Sequence, residues 1–535
     1  MQTECFPSSI VPGQNKLFAA YAASHEPLSP FYSETPWSQQ WMSQAATASP
    51  AQREAVATLL AEQNRSFGAS EKVLSNIEQL RSGAGAAVTG QQVTLFGGPL
   101  YTLLKAATAI RKAADATAAG HPHVPIFWLA SEDHDLAEAD HLSLTSKHEV
   151  RTIHLETADA ALKLPVGGRQ LGPQIRAALD QAAELLGPST ALDLLERCYT
   201  PEATFSQAFA RFISAVFADQ GLIVIDASTR EFHALGEPVL RHAIEHAVEL
   251  NAALLERNHL LASRGFDAQV MVKPQGSLLF LLDEETGERL SLKLRGDNIW
   301  SAGKKTYSTA ELLAILAAEP HRLSPNALLR PLFQDWLLPT SAYIGGPAEI
   351  AYFAQSAVLY ERISGLITPV LPRLSATLID AQSSAVMQRY GLSLPDLFAA
   401  PPAELAQRIG ARSMPVEGKR KLAAAGNTLD EELQSLTAWM HALDEGLGRS
   451  ANVAASKMRY QMNRLRRLAA NHQLERDASI RRHIDALYRS LYPGEHLQER
   501  AIGAVSFLAQ FGDGLAGVLV ENAAQECPGH RAIFL

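Results

Sequence analysis

Across residues 86–380, short apolar runs alternate with longer amphipathic segments, and this alternation restricts the 535-residue chain to an α/β sheet more firmly than any other feature. Strands are expected at 86–89, 125–130, 222–226, 341–344 and 367–370, and helices at 99–119, 201–219, 231–262 and 347–364. Three of the helices open on proline, whose missing N–H costs nothing at a helix start. The order is that of a doubly wound core, assigned to residues 1–380. Two stretches interrupt it and are expected as insertions: 157–200, a Gly/Pro-containing loop with short helices, and 270–308, where SLLFLLD, a polar EETGE turn and RLSLKL predict a β-hairpin.

After residue 380 the pattern changes. Pro401-Pro402 and Met414-Pro415 punctuate a region of linker and short helices, 381–426. Within 427–490, Leu429, Leu433, Leu436, Met440, Leu443 and Leu447 recur at alternating steps of four and three, the seam of a coiled coil. Periodicity loosens at 446–450 and resumes through Met458, Met462, Leu465 and Leu468, so a stutter or a hairpin is expected there. About three heptads suffice to pair helices, so a homodimer is expected unless a hairpin satisfies the seam within one chain. Residues 491–535 are expected to pack back on the core.

Charge and hydropathy exclude several function classes. The balance of 47 basic and 56 acidic residues gives a net charge of −9, which offers no basic face to nucleic acid. No stretch reaches the roughly 18 uncharged apolar residues of a membrane span, and the first residues lack a basic segment followed by an apolar one, so a cytoplasmic protein is expected. Cys5, Cys198 and Cys527 are too few and too scattered to predict a disulfide framework or a CxxC metal site. HAIEH at His242–His246 fits a zinc-peptidase pattern but lacks an evident third ligand, and GDGLAG at 512–517 has no strand before it.

Three segments carry the candidate chemistry. AAVTGQQVTLFGGPLYTLLK reads as strand, loop and helix. Thr89, Gly90, Gln91 and Gln92 end the strand, Gly97 and Gly98 let the backbone approach a ligand, and Tyr101 and Lys105 share a face at i and i+4. PIFWLASEDHDL sets Glu132, Asp133, His134 and Asp135 just beyond a strand, where open α/β sheets hold their ligands. Four ionisable residues together call for a cationic partner, and the flanking carboxylates are expected to raise the basicity of His134. His134 has no second histidine at ligand spacing, so no metal ligand is assigned. In SPNALLRPLFQDWLLPTSAYIGGPAEIAYFAQ, Gly345 and Gly346 repeat the strand–glycine–helix logic ahead of Glu349 and Tyr352, with Arg330, Asp335 and Arg373 as expected supports or as ion pairs packing the core edge. A tight turn with a surface lysine, or a solvated helix entry, would use the same residue types.

Taken together, TGQQ at 89–92, GPLYT at 98–102 with Lys105, EDHD at 132–135, SPNALLRP at 324–331, AYIGGPAEIAY at 342–352 and LQER at 497–500 make the chain resemble the cysteine-adding enzymes of bacillithiol biosynthesis. The resemblance implies a Rossmann-like core with connecting insertions, a C-terminal coiled coil, dimerisation, and addition of L-cysteine to glucosaminyl-malate. A carboxylate needs activation before an amine can attack it, and ATP is the expected activator. Gly97, Gly98 and Lys105 would then stabilise phosphate charge. Glu132 to Asp135 would hold an ammonium or relay a proton through His134, and Gly345-Gly346 would approach the second substrate or the nucleotide sugar. The alternatives are another adenylate-forming or nucleotidyl-transferring enzyme, or a coiled-coil protein whose core only binds a nucleotide or thiol metabolite.

Overall fold

A computed structural model describes residues 2–24, 28, 30–43, 49–146, 148–157, 160–296, 298–476, 478–524, 527 and 529–535. The chain divides into two compact units, Met1–Thr377 with Gln498–Ile533, and Leu378–Leu497 with Phe534–Leu535.

The first unit is built on a five-stranded sheet of β1 (Gly85–Gln92), β2 (His123–Ala130), β3 (Ile223–Ile225), β4 (Thr340–Gly345) and β5 (Val370–Pro372). Its order is β5-β4-β1-β2-β3, and every pair is parallel. β2, HVPIFWLA, is apolar along almost its whole length because both of its faces are covered, as in parallel sheets generally. From β1 the chain winds outward to β2 and β3, then returns to lay β4 and β5 on the other side. The order therefore reverses between β1 and β4, and that reversal opens a crevice at the carboxyl ends of the strands. Helices α1 (Tyr101–Ala118) and α2 (Pro347–Ile363) start at this edge, directly after β1 and β4.

Two expected elements shift. The last strand begins at Val370 rather than 367: Thr368 Oγ1 donates to Asp335, and the Pro369 carbonyl accepts the first ladder bond from the Tyr343 N–H of β4. The long helix expected over 231–262 is three helices, Arg230–Leu235, Glu237–Glu245 and Ala247–Ser263. The first break falls at Gly236, beside Pro238, where a Cβ would lie 2.1 Å from the Phe333 ring. The hairpin expected within 270–308 is present as Gly276–Leu282 and Arg289–Gly296. It belongs to a larger antiparallel sheet with Ile299–Ala302, Lys305–Ser308 and Leu323–Pro325.

The cysteines depart from expectation. Cys5 and Cys527 are disulfide-bonded, although 522 residues separate them. Strand Thr3–Phe6 pairs antiparallel with the strand starting at His530, which brings the two segments together. Spacing could not announce a bond that depends on this pairing. Cys198 is free and buried, and burial pushes its thiol up to about 11, so it is no ready thiolate.

Among the described residues no single helix is long and apolar enough to cross a membrane. The one bent apolar pair, Ala504–Phe511 and Leu515–Asn522, belongs to the first unit, where its second helix packs on α1.

In the second unit, α3 (Val416–Leu443) and α4 (Glu445–Arg476) form an antiparallel hairpin. Asp444 breaks the helix with extended backbone (φ −160°, ψ 139°), and its carboxylate accepts the Leu447 N–H at 2.9 Å, capping α4. Asp430 meets Arg459 across the hairpin at 2.8 Å. The loosened periodicity at 446–450 is thus a reversal, not a stutter. Leu433, Ala455 and Met462 are buried, whereas Leu436, Leu443, Leu447, Met458, Leu465 and Leu468 remain 42–60% exposed. One hairpin covers only part of its apolar surface.

Candidate functional site

A cleft of about 370 Å³ occupies the crevice at the β1–β4 reversal. Its floor comes from the ends of β1 and β2, with Gly90, Gln91, Gln92, Trp128 and Ala130, and Asp133 stands at its rim. Tyr101 and Lys105 enter from α1, and Gly346, Glu349 and Tyr352 from the start of α2. Arg330, Tyr343, Arg373, Glu138 and Arg500 complete the wall.

Lys105 is the hub. The apolar stripe of α1 drags it inward until it is only 4% exposed, and its three ammonium hydrogens meet the Gly90 carbonyl at 2.7 Å, Gln91 Oε1 at 2.9 Å and Glu349 Oε2 at 2.6 Å. Burial pulls the ammonium below the ordinary lysine value, with Glu349 opposing. Burial would raise Glu349, but Lys105 and the Gly346 N–H, 2.8 Å away, hold its carboxyl below the usual range. The result is a buried ion pair. Glu349 Oε1 also accepts the Tyr343 hydroxyl at 2.5 Å. Arg330, by contrast, donates to neutral oxygens, Tyr352 Oη and Gln334 Oε1, each at 2.9 Å. No carboxylate among the described residues forms an ion pair with it, although Glu349 acts on it through space, and its side chain lines the cleft.

The structure separates residues that the sequence groups together. Of the four in EDHD, only Asp133 lines the cleft, where its carboxylate accepts from Gln92 Nε2 at 2.7 Å and from the Asp135 N–H at 3.2 Å. Glu132 turns away to His233, 2.9 Å distant and fully buried. Asp135 is exposed. His134 lines a different cavity, beside Arg289 and Lys163. Burial and the Arg289 charge pull its imidazole below the ordinary value, and Asp133 offsets this only in part, which reverses the expected rise in basicity.

Gly97 and Gly98 are also reassigned. Both have positive φ, and a Cβ on Gly97 would strike the Phe212 ring at 2.1 Å. Yet the Gly97 N–H donates to Tyr199 Oη at 2.7 Å and the Gly98 N–H to the Leu95 carbonyl at 3.0 Å, so neither amide is left for a phosphate. Their freedom serves packing. Thr89, fully buried, donates to the Ile344 carbonyl at 2.9 Å and ties β1 to β4. Gly345 stands behind the cleft, its carbonyl accepting the Arg373 N–H at 2.9 Å. One group of potential metal ligands, Asp140, His141 and His154, sits on the hairpin of His141–Thr145 and Val150–His154 and lines neither cavity.

The chain matches, over residues 1–374, the model described as bacillithiol biosynthesis BshC, N-terminal Rossmann-like domain. Over residues 376–535 it matches the BshC C-terminal coiled-coil domain. The chain belongs to the BshC family of bacillithiol biosynthesis. Similar proteins carry the name "Putative cysteine ligase BshC". That of Koribacter versatilis is 41% identical over 537 residues, and that of Solibacter usitatus 36% over 543, each covering all of both chains. That of Salinibacter ruber is 32% identical over 531 residues, covering 97% of this chain and 96% of its own.

The structure gives the LQER motif a location. Glu499 is buried and grips Arg373 through two bonds, 2.6 and 3.1 Å long, while also accepting the Ala376 N–H at 2.8 Å. Arg500 reaches the cleft wall. Arg500, Glu138 and Tyr343 are site residues that the sequence reading did not single out, and for Arg500 the only signal was the motif itself.

The same region predicts an acid sensitivity. Burial pushes His530, whose ring bonds Ser375 Oγ at 2.8 Å and Thr377 Oγ1 at 2.7 Å, from 6.5 down to about 4. Between those values the unfolded chain binds the proton and the native one does not, so His530 favours folding fully above 6.5 and loses that contribution as pH falls toward 4. Glu499, held near 2 by Arg373 despite burial, against 4.5 ordinarily, adds a second loss below 4.5. Urea midpoints should therefore fall from pH 7 to pH 4, and fall less in His530→Gln; equal pH dependence in both proteins would refute the assignment.

Proposed function

We propose that the chain joins the carboxyl group of L-cysteine to the amine of glucosaminyl-malate in the cleft at the β1–β4 reversal. The observation that carries this is the polarity of the cleft. Its lining carries Arg330 and Arg500, which suit the malyl carboxylates, and Asp133 and Glu138, which suit the sugar ammonium. Asp133, fixed by Gln92, takes a proton as the amine attacks the activated cysteinyl carbon. The Lys105–Glu349 pair and Tyr343 hold the wall rigid around the reacting groups. ATP is the proposed activator: the cysteine carboxylate attacks a phosphorus of ATP and displaces ADP or pyrophosphate, and the resulting acyl C–O bond breaks, releasing phosphate or AMP, as the amine adds and the amide forms. Purified protein supplied with L-cysteine, glucosaminyl-malate and ATP should yield a product whose mass equals the two joined substrates less one water. Absence of that species by mass spectrometry, with the protein folded, rules the reading out.

A homodimer is proposed through the uncovered leucines of the α3–α4 hairpin, since a second copy would remove them from water. Light scattering at micromolar concentration should give twice the 57.9 kDa chain mass. A mass of one chain would refute it.

A further inference from the structure

The cavity that receives His134 is separate from the cleft, about 230 Å³ in volume, and unusually charged. Its lining includes Lys163, Arg289, Lys293 and Arg295, and no carboxylate among the described residues. The arrangement follows from strand geometry. In Arg289–Gly296 the sequence RLSLKLR alternates, so Arg289, Ser291, Lys293 and Arg295 share one face. β2 ends at Ala130, four residues before His134, which lines the same cavity.

Arg289 is the informative residue. It is 8% exposed, its guanidinium stacks 3.9 Å from the Phe280 ring centroid, and it donates to Ser324 Oγ at 2.9 Å and the Pro325 carbonyl at 2.8 Å. Both acceptors are neutral; the Glu132 and Asp133 carboxylates act on it through space, but among the described residues none forms an ion pair with it. Burial still outweighs those two carboxylates and pulls the guanidinium below its ordinary value, so an anion bonded directly to it would be stabilised there. Three further cations converge there. Arg295 is aimed by Ser301 Oγ, 2.9 Å from its Nε, and His134 Nδ1 is buried without a hydrogen-bond partner. Like charges gathered around one void repel one another until an anion of matching charge enters it.

We propose that this cavity binds a phosphoryl oxyanion, with Arg289 as its buried anchor and Lys163, Lys293 and Arg295 as its rim. Phosphate fits better than a single carboxylate because several donors converge on it from two elements, and a phosphoryl group offers three acceptor oxygens with more than one negative charge. Asp133 in the cleft and His134 in this cavity are consecutive residues, so an anion here lies one residue step from the proposed amine site. The site goes beyond cysteine transfer, since binding can be read without any reaction.

The test is calorimetric titration of inorganic pyrophosphate into the full-length protein, into Lys163→Ala/Lys293→Ala and into Arg330→Met, with L-malate as a second titrant. Both lysines are exposed, so the double variant should melt as the wild type does. Pyrophosphate should bind wild type and Arg330→Met alike and bind the double variant at least about 10-fold more weakly. Arg289→Met, checked for folding, should abolish binding. The proposal is overturned if pyrophosphate does not bind at millimolar concentration, if the double variant binds it like wild type, or if Arg330→Met is the variant that weakens it. It is equally overturned if the lysine variant loses L-malate and keeps pyrophosphate. Amide formation is not read here, so failure of this site and failure of the ligase reading register separately.

Discussion

Glu499→Ala is expected to lower the unfolding free energy by about 3–5 kcal/mol, the usual cost of removing one member of a buried ion pair. The side chains of Arg373 and Glu499 are 3% and 1% exposed, so alanine would strand the guanidinium in a dry site instead of returning it to water. It would also free the Ser375 hydroxyl and the Ala376 N–H, which Glu499 now accepts. Because Arg373 lines the cleft, activity should fall in the fraction that folds. Urea denaturation checks the first effect. A midpoint equal to that of wild type would mean that the pair contributes nothing net.

Asp133→Asn is expected to act on chemistry rather than folding. Asp133 is partly exposed at the cleft rim and held by Gln92 and its own turn, and asparagine preserves most of that geometry while losing the charge and the ability to take a proton. Turnover should drop by roughly 100-fold or more, the contribution of a positioned acid or base, with the melting temperature nearly unchanged. If turnover survives and His134→Ala abolishes it, the proton acceptor belongs to the neighbouring cavity.

The layout of the core is legible because parallel strands and amphipathic helices leave periodic marks. HVPIFWLA reads as a strand covered on both sides, and TGQQ and IGGP mark the two strand ends that flank the cleft. Which neighbours share a cavity is not legible. In EDHD, adjacent residues point to a histidine 101 residues away, to the cleft, to a second cavity and to solvent. Glycines before a helix suggest an anion cradle, but whether their amides are free depends on Tyr199, 102 residues distant from Gly97. The disulfide likewise depends on one strand pairing between the ends of the first unit. The basic strand face was readable in principle. RLSLKLR alternates charge with leucine, but a cationic face commonly means solvent, and only the placement of His134 and the burial of Arg289 distinguish it.

The proposed reaction requires the cleft beside Lys105 and Glu349 to receive glucosaminyl-malate with its carboxylates on Arg330. Calorimetric titration of glucosaminyl-malate into wild type and into Arg330→Met tests this without requiring turnover. Loss of a charge-assisted pair in a buried site should weaken binding by about 2–3 kcal/mol, or roughly 30- to 150-fold, while the Lys105–Glu349 pair keeps the variant folded. Unchanged affinity in a well-folded Arg330→Met protein would contradict the account, because the substrate would then be bound elsewhere.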